Sequence, residues 1–151
     1  MKKIKNPTPE KIRALLLDRC GFRSTCVYDD GSISVDFGAD DDCRYNIRFI
    51  FTVIDDQVLL IGASPEGFVV PSDARAKALM KINELNGEYS IVSAIMNDKG
   101  TIIVKRGELL DEEVSEAFMV ENVLKLTVNN ALQYIAELVR FVEEPDVSRF
   151  V

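Results

Sequence analysis

The chain has 151 residues, 47% of them hydrophobic and 28% charged, and a formal charge of −7 at pH 7. This is the composition of a folded protein and excludes global disorder; the length predicts a single domain with a substantial core. The negative charge argues against a nucleic-acid partner, and no apolar run approaches the ~20 residues of a membrane span.

Residues 1–7 are expected to be a loose lead-in, with an ordered core over about 8–143 and a short tail beyond it. Thr8 can cap a helix that has Pro9 at its first position and Gly21 at its end, with Ile12, Leu15 and Leu16 on one face. Residues 1–23 hold seven basic and two acidic side chains, net +5, and the rest of the chain is net −12. A basic helix docking on an acidic body explains this better than an anion-binding arm, because aromatic residues are not interleaved with the basic ones. Thr25–Tyr28 and Ser32–Phe37 flank Asp29-Asp30-Gly31, a hairpin signal.

Tyr45, Ile47, Phe49, Phe51 and Val53 form the clearest period-two stripe, as in a strand with one buried face. Asp55-Asp56 turns the chain into Val58–Ala63, which is apolar on both faces, and Pro65-Glu66-Gly67 reads as another turn. Ser72 is the expected cap of a second helix, Ala74–Asn86, in which Ala74, Ala78, Ile82 and Leu85 recur at helical spacing. Glu88–Met96 and Thr101–Arg106 should pair around Asn97-Asp98-Lys99-Gly100, a type I turn with Gly100 left-handed. A final helix from about Ala117 to Glu143 is stopped by Pro145, although the alternation Val123-Lys125-Thr127 leaves a strand open over part of 122–128. The prediction is an α+β fold: one antiparallel sheet, helices 9–20 and 117–143 on one face, and a middle helix.

Catalytic and metal chemistry find no foothold. The chain has no histidine, which removes Ser-His-Asp and Cys-His catalysis and the commonest zinc ligand. Asp40-Asp41-Asp42-Cys43 lacks the alternating oxygen ligands of a calcium loop and reads as a solvated turn. The pairs Asp29/Asp30, Asp55/Asp56 and Glu112/Glu113 fall at predicted turns, where carboxylates bond the backbone. Gly62, Gly67 and Gly87 are isolated, so no phosphate-binding loop is expected. Cys20, Cys26 and Cys43 are odd in number and lack CxxC spacing, which fits reduced thiols; with no apolar signal-peptide core, a cytoplasmic location is expected. The chain is therefore expected to be neither an enzyme nor a cofactor or metal binder.

The last helix is apolar nearly all round. Leu124, Val128, Ala131, Ile135, Leu138 and Val142 make one stripe, while Leu126, Tyr134 and Phe141 fall outside it or at its edges. The surplus signals either a second covering layer within the fold or an interface. Leu126, Tyr134 and Phe141 are the candidate interface residues.

The order of helix, antiparallel strands, helix, hairpin and long helix resembles the YbjN-like family of bacterial domains, which share the fold of type III secretion chaperones. The most specific piece is Ala78–Asn86, whose Asn83-Glu84-Leu85-Asn86 run precedes Tyr89 and the hairpin through Asn97–Gly100. The resemblance covers about residues 8–143. It implies a small acidic protein, often dimeric, that binds other proteins and has no catalytic residues to carry over; some members are described as candidate sensory-transduction regulators. The expected function is a protein-interaction module, chaperone-like or a regulatory adaptor, working as a homodimer on a protein partner. The alternative is a small-molecule sensor with a pocket between sheet and long helix, for which Tyr45 and Tyr134 are the available polar groups.

Overall fold

The computed structural model describes residues 2–23 and 25–144. Strands β2 (Thr25–Val27), β3 (Ile33–Phe37), β4 (Ile47–Ile54), β5 (Val58–Pro65), β6 (Ser93–Met96) and β7 (Ile102–Leu109) form one antiparallel sheet in the order β2-β3-β4-β5-β7-β6. The register aligns Val35, Phe49, Ala63, Val104 and Ala94 across it, all buried on the inner face. The period-two stripe is the centre of that face: Ile47, Phe49 and Phe51 are buried, and Arg48 between them points to solvent.

Helix α1 (Pro9–Ala14) begins as expected, with the Thr8 hydroxyl accepting from the Lys11 N–H at 3.2 Å. It widens into a π-helical stretch, Leu15–Arg19, before Gly21 at φ +75° ends it. Helix α2 (Arg75–Glu88) starts after a 3₁₀ turn, Ser72–Ala74, and Ser72 makes no cap hydrogen bond, contrary to expectation. The long C-terminal helix comprises α3 (Glu116–Phe118), a π-helical stretch Met119–Lys125, and α4 (Leu126–Glu143). No strand forms over 122–128, because Val123, Leu124, Thr127 and Val128 are buried together at helical spacing. The guanidinium of Arg106 donates to the carbonyl of Asn122 at 2.8 Å and to the Thr127 hydroxyl at 2.9 Å where the π-helical stretch passes into α4. Pro145 lies outside the described residues; α4 ends at Glu143 and Glu144 is extended, the conformation preferred before proline.

The lead-in expected to be loose is pinned instead. Strand β1 (Lys3–Ile4) pairs with β8 (Val114–Ser115), Ile4 is buried, and Asn6 N–H donates to the Leu110 carbonyl at 2.9 Å. Two turns carry positive φ. Asp55 and Asp56, at φ +52° and +55°, make the tight hairpin between β4 and β5, a conformation aspartate tolerates. Gly100, at φ +85°, closes the β6–β7 turn, and a Cβ there would stand 2.5 Å from the Val70 carbonyl oxygen.

Candidate functional site

The three helix residues expected at an interface have different fates. Tyr134 is fully buried, because α2 packs against that side of α4. Its hydroxyl donates to Asn86 Oδ1 at 2.6 Å and lies 3.3 Å from the Ile82 carbonyl; burial pushes its pKa up to about 12. It is a core residue and offers nothing to a partner. Phe141 is half-buried, with the ammonium groups of Lys77 and Lys81 from α2 at 4.8 and 5.1 Å from its ring centroid. Leu126 is half-buried at the start of α4. The apolar surplus of the long helix is thus covered largely within the fold, by the end of the first helix and by α2.

Asn86 explains the specific piece of the sequence motif. Its carboxamide donates to the Ala94 carbonyl at 3.2 Å and accepts from the Ala94 N–H at 2.9 Å, as a neighbouring strand would. The same Oδ1 accepts from Tyr134. One side chain therefore ties α2, β6 and α4 together, and α2 runs to Glu88, two residues past the Asn86 end expected from sequence.

The basic N-terminus docks as expected. Glu116, buried at the start of α3, takes Arg19 and, at 3.4 Å, Lys11. Burial would raise the pKa of Glu116, but the charge of Lys11 and the hydrogen bonds from Arg19 and Lys11 outweigh it and hold the carboxyl below its ordinary value.

A cleft of about 450 Å³ lies between the end of the sheet and α4, lined by Phe37, Tyr45, Ile47, Leu132, Ala136 and Arg140 among others. Glu143 anchors its rim, accepting from Arg44 Nε at 3.0 Å and from the Tyr45 hydroxyl at 3.2 Å. The bond from Arg44 holds the Glu143 carboxyl below its ordinary range. Asp40 on the loop beside the cleft accepts from the N–H groups of Asp42 and Cys43, both at 2.9 Å, so its carboxylate serves the turn. Among the described residues, no three potential metal ligands cluster. Cys26 is exposed, Cys20 half-buried and Cys43 buried.

The outer face of the sheet is left uncovered. The described helices lie on the inner side, and none packs over Ile50, Ile54, Leu60, Ile95, Ile103 and Leu109. Leu109 is 68% exposed, Ile95 47% and Leu60 42%. The charges on this face largely satisfy one another: Arg48 pairs with Asp36 at 2.8 Å and Glu66 at 2.9 Å. The double apolar character of Val58–Ala63 was the sequence signal for it. Leu109 and Ile95 were missed, because the first extends β7 beyond its expected end and the second sits in a strand for which no solvent-facing side was assigned.

No known family model matches the sequence, and no curated protein matches it. Solved structures do. The crystal structure of YbjN from E. coli, a candidate transcription regulator, superposes with a TM-score of 0.66 over 89% of this chain and 93% of that one, at 15% identity. An uncharacterised protein from Methanothermobacter thermautotrophicus superposes with a TM-score of 0.54 over 89% of this chain and 99% of that one, at 13% identity. The chain carries the YbjN-like fold, as its element order implies.

Proposed function

We propose that the protein is a protein-interaction module, a regulatory adaptor or chaperone-like domain, that works by binding another protein through the outer face of its sheet. The observation that carries this reading is the uncovered outer face, along which Leu109, Leu60 and Ile95 are exposed at successive register positions of β7, β5 and β6. Exposed apolar surface of this kind marks interaction sites. That the similar E. coli structure is of a candidate transcription regulator fits a regulatory adaptor. The acidic turns bond their own backbone and suit a non-enzymatic role, and three unpaired thiols suit a reducing cytoplasm. A photo-crosslinking amino acid placed at Leu60 in cells should yield a protein adduct that Leu109→Asp abolishes. Adducts from the α2 surface at Met80 but none from position 60 would overturn the assignment.

A second reading, a small-molecule sensor, is favoured by the cleft beside Tyr45 and Arg140, which lies between the sheet and the long helix. It predicts a metabolite that raises the melting temperature of the wild type and leaves Gln133→Trp, which fills the cleft, unchanged.

A further inference from the structure

We infer that the cleft between the end of the sheet and α4 binds a free apolar α-amino acid. Its carboxylate pairs with Arg140, its ammonium with Glu137 and Asp42, and its side chain lies on a floor of Phe37, Ile47, Leu132 and Ala136. The inference rests on the reading of this cleft as a small-molecule site and names the class of ligand.

Three observations converge on a zwitterion with an apolar body. The first is that the cleft holds charges of both signs that the fold does not use. Glu137 and Arg140 stand three residues apart on α4, a spacing at which opposite charges on a helix commonly pair. Such pairs do form elsewhere in the chain, Lys81 with Glu84 at 3.3 Å and Lys125 with Glu121 at 3.2 Å. Glu137 and Arg140 line the cleft instead, and neither joins an ion pair among the described residues; nor does Asp42 on the facing loop. The neighbouring carboxylates are already engaged: Glu143 by Arg44 and Tyr45, and Asp40 by its own turn. What remains at the cleft is one guanidinium and two carboxylates.

The second is what those signs reject. A simple anion, a phosphate ester included, would meet Asp40, Asp42 and Glu137 beside a single guanidinium, in a chain of formal charge −7. A simple cation such as a polyamine would be held off by Arg140. A ligand that carries an ammonium and a carboxylate on one carbon satisfies both signs with charge-assisted hydrogen bonds, the stronger kind.

The third is the floor and its rigidity. Ile47 and Ala136 are buried, and Phe37 and Leu132 half-buried, so an aliphatic or aromatic side chain finds apolar surface there. About 450 Å³ is the size of a small-ligand pocket. The loop wall is set in advance: the Asp40 N–H donates to the Cys43 carbonyl at 2.9 Å, and the Ala39 N–H donates to Asn46 Oδ1 at 2.8 Å. A preformed wall spares the ligand the ordering cost of binding.

Calorimetric titration and thermal melts of the full chain with leucine, methionine and phenylalanine test this. At least one should bind saturably, with a Kd of about 1–100 µM, and raise the melting temperature. The amide of the tightest binder, which lacks the carboxylate, and its N-acetyl derivative, which lacks the ammonium, should each bind about 10–100-fold more weakly. Arg140→Gln, at an exposed position, should melt like the wild type without ligand. It should bind the free amino acid about 10–100-fold more weakly and the amide no worse than the wild type does. An amide or N-acetyl derivative that binds as tightly as the free amino acid, an affinity unchanged by Arg140→Gln, or binding that survives Gln133→Trp would overturn the inference. So would a wild type that binds none of the three. In that case a metabolite extract separates the two ideas. An extract fraction that raises the melting temperature of the wild type but not of Gln133→Trp keeps the cleft as a site for another class of ligand; the absence of any such fraction removes both.

Discussion

Replacing Asn86 with alanine removes three hydrogen bonds at one stroke: two to the backbone of Ala94 and one from the Tyr134 hydroxyl. Each is worth about 0.5–1.5 kcal/mol net, and the fully buried tyrosine hydroxyl keeps only the longer approach to the Ile82 carbonyl, so Asn86→Ala should cost roughly 2–4 kcal/mol. For a chain of this size that is a fall in melting temperature of roughly 5–15 °C. Far-UV circular dichroism with urea and heat is the assay, since the chain has no tryptophan. Tyr134→Phe should cost about 1 kcal/mol alone, and little beyond Asn86→Ala in the double variant, because the bond it loses is already gone. An Asn86→Ala effect below about 0.5 kcal/mol, or strict additivity with Tyr134→Phe, would refute the idea that this amide ties three elements together.

Glu116 has its carboxyl held below its ordinary value of 4.5, so its stabilising effect is present above that pH and fades as pH falls through the lowered folded-state value. Glu116→Gln should therefore be less stable than the wild type at pH 7, with a gap that narrows in urea titrations below pH 4.5; a constant gap would contradict the ion-pair account. Gly100→Ala meets both a left-handed backbone and the Val70 carbonyl and should cost at least about 1–2 kcal/mol in the same assay, whereas Gly38→Ala, with open space around it, should be nearly neutral. Thiol titration of the native protein should show one fast cysteine, Cys26, and slow reaction at buried Cys43 and at Cys20, whose thiol burial pushes up to about 11; equal rates for all three would contradict the burial pattern.

The element order was readable because the period-two run from Ile47 to Val53 and the helical spacing of Ala78, Ile82 and Leu85 are local patterns, and the fold uses each as its period dictates. The turn chemistry at Asp55-Asp56 and Gly100 was readable for the same reason. What resisted reading was anything decided by a distant neighbour. Ile4 looks isolated among lysines until β8 comes alongside it. Ser72 has the chemistry of a cap, but the chain enters a 3₁₀ turn first and leaves it unused. Tyr134 looked like surplus on an over-apolar helix; only the docking of α2, with Asn86 as acceptor for its hydroxyl, makes it core. The uncovered outer face was legible only in part, since an outward Leu60 betrays itself by breaking the alternation of β5, while Leu109 does not.

The amide of Asn86 has one more effect, on how the sheet meets other chains. Exposed strand edges invite further strands, and proteins protect them in different ways. At the β6 end, Asn86 already occupies both backbone groups of Ala94, and α2 lies alongside. The opposite end, β2, pairs on one side only among the described residues. A sheet with one guarded and one open margin can accept a strand once but cannot pass the ladder on through its far side. The carboxamide of Asn86 and the flank of α2 thus guard the β6 margin against a further strand, so an edge-to-edge pairing through β2 has no second open margin to continue from.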